Sequence, residues 1–443
     1  MRHFGILCLA ETGHLNPMLA LAHELQQRGH AVTVFQVPDA EQIVLSAGFN
    51  YYPIGRSHFP LGTMPRIAAF RGKLSGLAGS LYSARLLWQV AAMTLQEVPN
   101  ALRAVGVDAL LVDQASLAGG TVADHVGIPF VSVCGALMFN QEVGVPPCFT
   151  YWQYQSSQWA YFRNRCLYQI SAWIEHPIRT LINGYRQRWK LPLYTASNDY
   201  YSRLAQVCQQ PAEFEFPRAD LPSCFHFTGP YTVQGIRKSV PFPFEQLTKK
   251  PLIYASLGTL QNRFVWVFRR IADACVGMDV QLVISLGGAL HRDSLPQLPG
   301  APIIVNYAPQ LDLLQRAALT ITHAGLNTTL ESLSNGVPMV AIPITNDQPG
   351  VAARIAWTKT GAVVPLHRLS SRSLKSAIQK VLSETSYSTN ALKLKDAIHR
   401  AGGASRAADI IEHVVYQDIH PENSTDVAEA ADNQAIRFSL KSL

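Results

Sequence analysis

Short apolar runs of strand length alternate along this chain with longer stretches of helical period. Residues 4–9, 109–112, 252–255, 318–322 and 339–344 read as buried strands. Helices are expected from Pro17 to about residue 28, where Gly29 ends the pattern, and over 328–334, closed by Gly336 just before Pro338. Another apolar-periodic helix should run from 404 to about 416, after Gly402-Gly403. The stretch 231–250, with Pro241, Pro243 and a Lys pair, reads as a linker between residues 1–230 and a second domain beginning at 251. After His420 the chain turns polar, and 421–443 is expected to be disordered. The fold class is α/β, with two domains that each bury a core.

The richest segment is 307–348. Between the strand at 318–322 and the helix at 328–334 lies a turn with His323 and Gly325. A strand feeding a glycine turn into a helix aims unpaired N–H groups and the positive end of the helix dipole at one point, which suits a diphosphate. His323 and the hydroxyls of Thr322 and Thr328 can donate to phosphate oxygens, while Asn327 can cap the helix or reach an oxygen itself. Glu331 lies one turn further on the same face, where a carboxylate can accept both ribose hydroxyls. Tyr307 offers a ring for a base, and Asp347 and Gln348 follow the carboxyl end of the next strand, placed for sugar hydroxyls. A second tight polar loop, Ser256-Leu257-Gly258-Thr259, follows the strand at 252–255.

The amino terminus supplies a candidate base. His14 lies in a loop, 11–17, after the first strand, and Asp113 ends the strand at 109–112. In a doubly wound sheet both carboxyl ends open into one crevice. Histidine suits deprotonation of a hydroxyl near neutral pH, and a carboxylate on its other nitrogen would fix the tautomer.

The ordered set Tyr307-Ala308-Pro309-Gln310, His323-Ala324-Gly325-Leu326-Asn327-Thr328, Glu331, Gly336-Val337-Pro338 and Asp347-Gln348 resembles the donor signature of family 1 glycosyltransferases, the UDP-glycosyltransferase superfamily. Gly13-His14-Leu15-Asn16-Pro17 and Asp113 match that family's catalytic base and supporting acid, so the likeness reaches both halves of the chain. It implies two Rossmann-like domains facing across a cleft, the GT-B fold, with 251–405 holding the nucleotide sugar and 406–420 crossing back to the first domain. It also implies that Tyr307 stacks on uracil, Ala308 bonds the base edge through its backbone, and His323, Asn327 and Thr328 hold the diphosphate. By the same likeness Ser256, Gly258 and Thr259 approach the diphosphate from the opposite side, Glu331 takes the ribose, and Asp347 with Gln348 takes the hexose. Tyr307 and Leu326 stand where the plant form of the signature has Trp. The implied reaction is inverting displacement at the anomeric carbon of UDP-glucose.

Composition narrows this further. No Asp-x-Asp occurs, which argues against a metal-dependent transferase, and no cofactor is expected beyond the UDP-sugar co-substrate. No Gly-x-Gly-x-x-Gly is present, against a nicotinamide dehydrogenase. The seven cysteines include no Cys-x-x-Cys and read as free thiols. A net charge of +7 permits nucleic acid, but no nucleic-acid motif accompanies it, and none is expected as a partner. There is no run of 18 apolar residues and no cleavage site after the first strand, so a cytoplasmic location is expected. Residues 151–194 carry nine aromatics after Tyr151, from Trp152 to Trp189, with six Lys or Arg against the single acid Glu175. Together with 59–93 they are expected to form an aromatic, basic surface for peripheral contact with a lipid membrane. Segments 113–116, 123–130 and 344–354 look most like the bacterial branch of the family that includes zeaxanthin glucosyltransferases, which points to a lipophilic hydroxylated acceptor; a soluble macrolide, sterol or phenol is the alternative. An epimerase would need acidic groups around the sugar and no acceptor pocket, and a binding protein would need no placed base.

Overall fold

The computed structural model describes residues 1–74, 76–232, 240–288 and 290–419. The expected tail, 421–443, and the stretch 233–239 of the expected linker lie outside the described residues. Among the described residues, thirteen strands build two all-parallel sheets. The first contains β1 (His3–Leu7), β2 (Ala31–Gln36), β3 (Asn50–Pro53), β4 (Ala109–Asp113), β5 (Phe130–Cys134), β6 (Gln206–Cys208) and β7 (Phe225–Phe227), in the order β3-β2-β1-β4-β5-β6-β7. The second contains β8 (Leu252–Ser256), β9 (Gln281–Ser285), β10 (Ile303–Val305), β11 (Ala317–Thr322), β12 (Met339–Ala341) and β13 (Gly361–Val363), in the order β10-β9-β8-β11-β12-β13.

In both sheets the order of strand addition reverses once, in the first between β1 and β4 and in the second between β8 and β11. Diverging connections leave a crevice at such a point, beyond the strands' carboxyl ends. Every residue of β4 and β8 is buried, because helices cover both faces of a parallel sheet. Helices Thr12–Gln27 and Gly403–Ile419 cover one face of the first sheet, and Gly76–Val105, Gly119–Val126 and the carboxyl-terminal part of Gln158–Arg188 cover the other. Helix Gly403–Ile419 therefore leaves the second sheet and packs on the first, where Arg28 meets Asp409 and Glu412 and His30 meets Glu412.

The two halves are tied by buried polar contacts. Arg354, on helix Gln348–Trp357, forms a bidentate pair with Glu215 and lies over the Phe216 ring at 4.4 Å. Arg354 and Glu215 are both buried; burial alone would push the Glu215 carboxyl up, but Arg354 and Arg218 hold it below its usual range. Gly350 lets this helix meet the first half, since a Cβ there would sit 1.9 Å from the Cys148 carbonyl.

The first helix differs from expectation. It starts at Thr12, with Glu11 as N-cap, so Pro17 lies inside it. Proline has no N–H for the carbonyl four residues back, which here belongs to Gly13. Asn327 Nδ2, from the second half, donates to that carbonyl at 2.9 Å. The helix expected over 328–334 also gains residues: it spans Leu326–Ser334, and Gly325, rather than Asn327, occupies the N-cap. All seven cysteines are free thiols, and among the described residues no helix is long and apolar enough to cross a membrane.

Candidate active site

Of the candidate catalytic and donor-binding residues, all but Asp113 and Thr322 line one cavity of about 1210 Å³ between the two sheets, and the buried Thr322 Oγ1 instead accepts from the Ala324 N–H. Asp113 lies directly behind the cavity. His14 sits in the first helical turn after β1, and Asp113 closes the neighbouring β4, so the strand order brings together residues 99 positions apart. His14 Nδ1 lies 2.8 Å from Asp113 Oδ2. The contact is short but off the ideal donor direction, and neither atom has another partner. Nε2 is thus the nitrogen left for the cleft. Burial pushes the His14 imidazolium down, but Asp113, with help from Glu11 and Asp347, outweighs it and lifts the pKa from 6.5 to about 9.

On the facing sheet, β8 and β11 are hydrogen-bonded neighbours with Ser256 opposite Thr322, so their two loops leave the sheet side by side. Gly258 adopts φ +70, and a Cβ there would lie 2.6 Å from the His323 ring, so the Ser256–Thr259 loop must carry glycine to lie against His323. Ser256 Oγ accepts from the Gly258 N–H, while Thr259 is exposed along the cavity wall. Burial lowers the His323 pKa to about 4, so the ring is neutral at physiological pH. Gly325 leaves the first turn of helix Leu326–Ser334 without a side-chain cap, and Thr328 faces the cavity from that turn. Leu326 is 4% exposed and belongs mainly to the core.

Glu331 is buried, one turn beyond Asn327. Gln310 Nε2 donates to its carboxylate at 2.6 Å, while the Gln310 carbonyl accepts from Tyr254 Oη at 2.9 Å. The backbone around Tyr307 and Ala308, just after β10, borders the same wall. Tyr307 is 52% exposed, leaving a ring face open, and its hydroxyl packs on Gly288. Gln348 Oε1 accepts from the N–H groups of Ile344 and Thr345, which fixes the turn holding Asp347.

Two residues matched to donor binding also reach across the cleft. The Asn327 carbonyl accepts from Gln209 Nε2 at 2.8 Å while its amide nitrogen holds Gly13, so both ends are engaged with the first half. Asp347 Oδ2 accepts from the Leu137 N–H at 3.2 Å; burial raises the Asp347 carboxyl, opposed by that bond and by His14. Sequence reasoning missed these cross-cleft partners, and missed the ion pair of Arg71 with Glu11 at the cavity wall. It also missed Gly287-Gly288, legible as a glycine pair after an apolar run: a Cβ on Gly287 would lie 2.0 Å from the Gly258 carbonyl.

Known proteins share this architecture. The chain is 31% identical over 417 residues to the zeaxanthin glucosyltransferase of Pantoea ananas, covering 94% of this chain and 96% of that protein. It is 32% identical over 425 residues to the enzyme of the same name from Pseudescherichia vulneris, covering 94% and 98%. The crystal structure of a calicheamicin glycosyltransferase superposes with a TM-score of 0.71 at 22% identity, over 94% of this chain and 99% of that one, and shares the GT-B fold. The family model for UDP-glucoronosyl and UDP-glucosyl transferases matches residues 90–402. With both sheets, the cleft between them and nearly the whole length accounted for, the chain belongs to this family and is a glycosyltransferase that draws its sugar from a nucleotide-activated donor.

Proposed function

We propose that the protein transfers glucose from UDP-glucose to a hydroxyl of a lipophilic acceptor, with inversion and without a metal. The observation that carries this reading is the pairing of His14 with Asp113 across one cleft from the uncapped amino end of helix Leu326–Ser334. In the reaction the acceptor hydroxyl gives its proton to His14 Nε2 as its oxygen bonds the anomeric carbon. The bond from that carbon to the β-phosphate oxygen breaks, UDP leaves with the electron pair, and the α-linked donor becomes a β-glycoside. Asp113 holds His14 and balances the imidazolium as it forms.

The leaving diphosphate is met by neutral donors: the first N–H groups of helix Leu326–Ser334, His323, Thr328 and the Ser256, Gly258 and Thr259 loop. In this reading Tyr307 stacks on uracil, Ala308 bonds its edge, and Glu331, held by Gln310, takes the ribose hydroxyls. Asp347 and Gln348 take the hexose, and Asn327 reaches the diphosphate only by exchanging one of its cross-cleft partners. EDTA should leave turnover unchanged; loss of activity that Mg²⁺ or Mn²⁺ restores would refute metal independence.

The acceptor half of the cavity is apolar, walled by Leu86, Val90 and Met93 on one helix and Leu167, Ile174 and Ile178 on another. The relatives named zeaxanthin glucosyltransferase make a hydroxylated carotenoid the first candidate. The outer face of helix Gln158–Arg188 supports an acceptor drawn from a bilayer. Trp159, Phe162 and Trp173 share one helical stripe, with Trp173 77% exposed. The protein should sediment with anionic vesicles at low salt, be released at high salt, and glucosylate zeaxanthin faster than a water-soluble phenol. No vesicle binding, together with faster turnover of the phenol, would remove the lipophilic acceptor.

A further inference from the structure

Helix Gln158–Arg188 turns two different faces to its surroundings. Its inner face walls the acceptor cavity, and there, among Leu167, Ile174 and Ile178, stands Glu175, the one acid between residues 151 and 194. A carboxylate in an apolar wall loses hydration that something must replace. Two neutral donors replace part of it: Tyr200 Oη donates to Oε1 at 2.7 Å, and Ser197 Oγ donates to Oε2 at 2.8 Å. Both residues also line the cavity. Among the described residues no cation forms an ion pair with Glu175.

A carboxylate offers roughly four acceptor positions. The two hydroxyls use one on each oxygen, which leaves acceptor capacity toward the cavity. Tying the Ser197–Tyr200 turn to the helix does not require a charge. A glutamine could hold the same two hydroxyls, accepting from one through its carbonyl and donating to the other through its amide. The feature a glutamate adds is acceptor strength on both oxygens, and that is what an incoming hydroxyl would use.

Glu175 is also well separated from the base in the topology. His14 follows β1, whereas Ser197 and Tyr200 lie in the turn leading toward β6, on the far side of β4 and β5. The cavity therefore has two polar poles, His14 with Asp113 at one and Glu175 with Ser197 and Tyr200 at the other, joined by an apolar wall.

We propose that Glu175, Ser197 and Tyr200 form a distal acceptor subsite that binds a second hydroxyl of the acceptor, so that the enzyme selects apolar molecules carrying a hydroxyl at each end. This rests on the lipophilic-acceptor reading above and specifies its chemistry. One hydroxyl meets His14 and is glycosylated, while the other donates to Glu175 and sets how far the molecule enters.

The test compares kcat/KM for a carotenoid diol such as zeaxanthin with its mono-hydroxylated counterpart, in the wild type and in Glu175→Gln. Two reactive ends alone favour the diol by about twofold. The wild type should exceed that by about tenfold, the scale of a hydrogen bond to a charged group, and Glu175→Gln should bring the ratio back toward two. A wild-type ratio near two overturns the proposal without reference to any variant, and so does a large ratio that Glu175→Gln leaves intact. Turnover of neither carotenoid would instead overturn the lipophilic-acceptor reading, and this subsite with it.

Discussion

Replacing Asp113 by Asn keeps the size of the side chain and removes the charge that faces His14. The structure sets the scale of the effect. Burial acts to lower the His14 pKa, yet Asp113 and the weaker influences of Glu11 and Asp347 raise it from 6.5 to about 9. At about 1.4 kcal/mol per pH unit, that lift is a preference of about 3 kcal/mol for the imidazolium. The same preference acts on the transition state as the proton arrives, so it is worth up to about a hundredfold in rate where the base starts neutral. In the wild type log kcat/KM should rise with pH through neutrality and level off near pH 9. In Asp113→Asn the limb should move to lower pH and the plateau should fall. The ratio of wild type to variant should therefore be small near pH 6.5 and grow to roughly ten- to a hundredfold above pH 9. Initial rates of UDP release, measured by chromatography at subsaturating acceptor, would read this directly. A ratio that stays constant with pH, or a limb that Asp113→Asn leaves in place, would show that Asp113 does not act through the charge of His14. Stability follows the same pair. The folded-state pKa is raised, so its contribution is fully present below pH 6.5 and is lost as pH rises through about 9. The wild type should accordingly lose more thermal stability over that window than Asp113→Asn.

Other perturbations separate the remaining parts of the account. Glu331→Ala should weaken UDP-glucose binding by about 1–3 kcal/mol in calorimetry, and unchanged binding would remove Glu331 from the donor site. Asn327→Ala takes away the donor to the Gly13 carbonyl left bare by Pro17, while Pro17→Ala supplies a helical N–H for that carbonyl. The two changes should therefore be non-additive in kcat, and strictly additive effects would mean that the Asn327 contact does not hold the His14 turn. Arg354→Met leaves Glu215 as a buried, partly compensated charge and should lower folding stability by about 3–5 kcal/mol in denaturant titration; a change under about 1 kcal/mol would contradict the role of that pair across the two halves.

The sequence revealed the parts of this site that depend on short-range order. Buried runs mark β1, β4, β8 and β11, and the residues at or just beyond their ends fall at carboxyl ends whatever the details of the turns, so His14, Asp113, Ser256 and His323 could be placed before any coordinates. The start of the first helix was hidden because Pro17 is a good opening residue. What allows it to sit inside is Asn327, 310 positions away, and no local signal announces that partner. The same holds for Arg354 with Glu215, which meet across the two halves, and for Arg71 with Glu11, which meet by packing of separate elements within the first half. Glu175 could be noticed as a lone acid in a basic, aromatic stretch, but which helix face it occupies follows from the packing of Gln158–Arg188 against the cavity.

The claim at the centre of this account is a single displacement at the anomeric carbon, with His14 as the base. Purified protein should be given UDP-glucose labelled at the anomeric carbon and zeaxanthin, and the product's configuration read from the anomeric coupling by NMR, beside the same reaction with His14→Ala. The account predicts a β-glucoside from the wild type, and from His14→Ala a rate lower by at least about a hundredfold with UDP still bound. An α-glucoside, or near-normal turnover by His14→Ala, would contradict it.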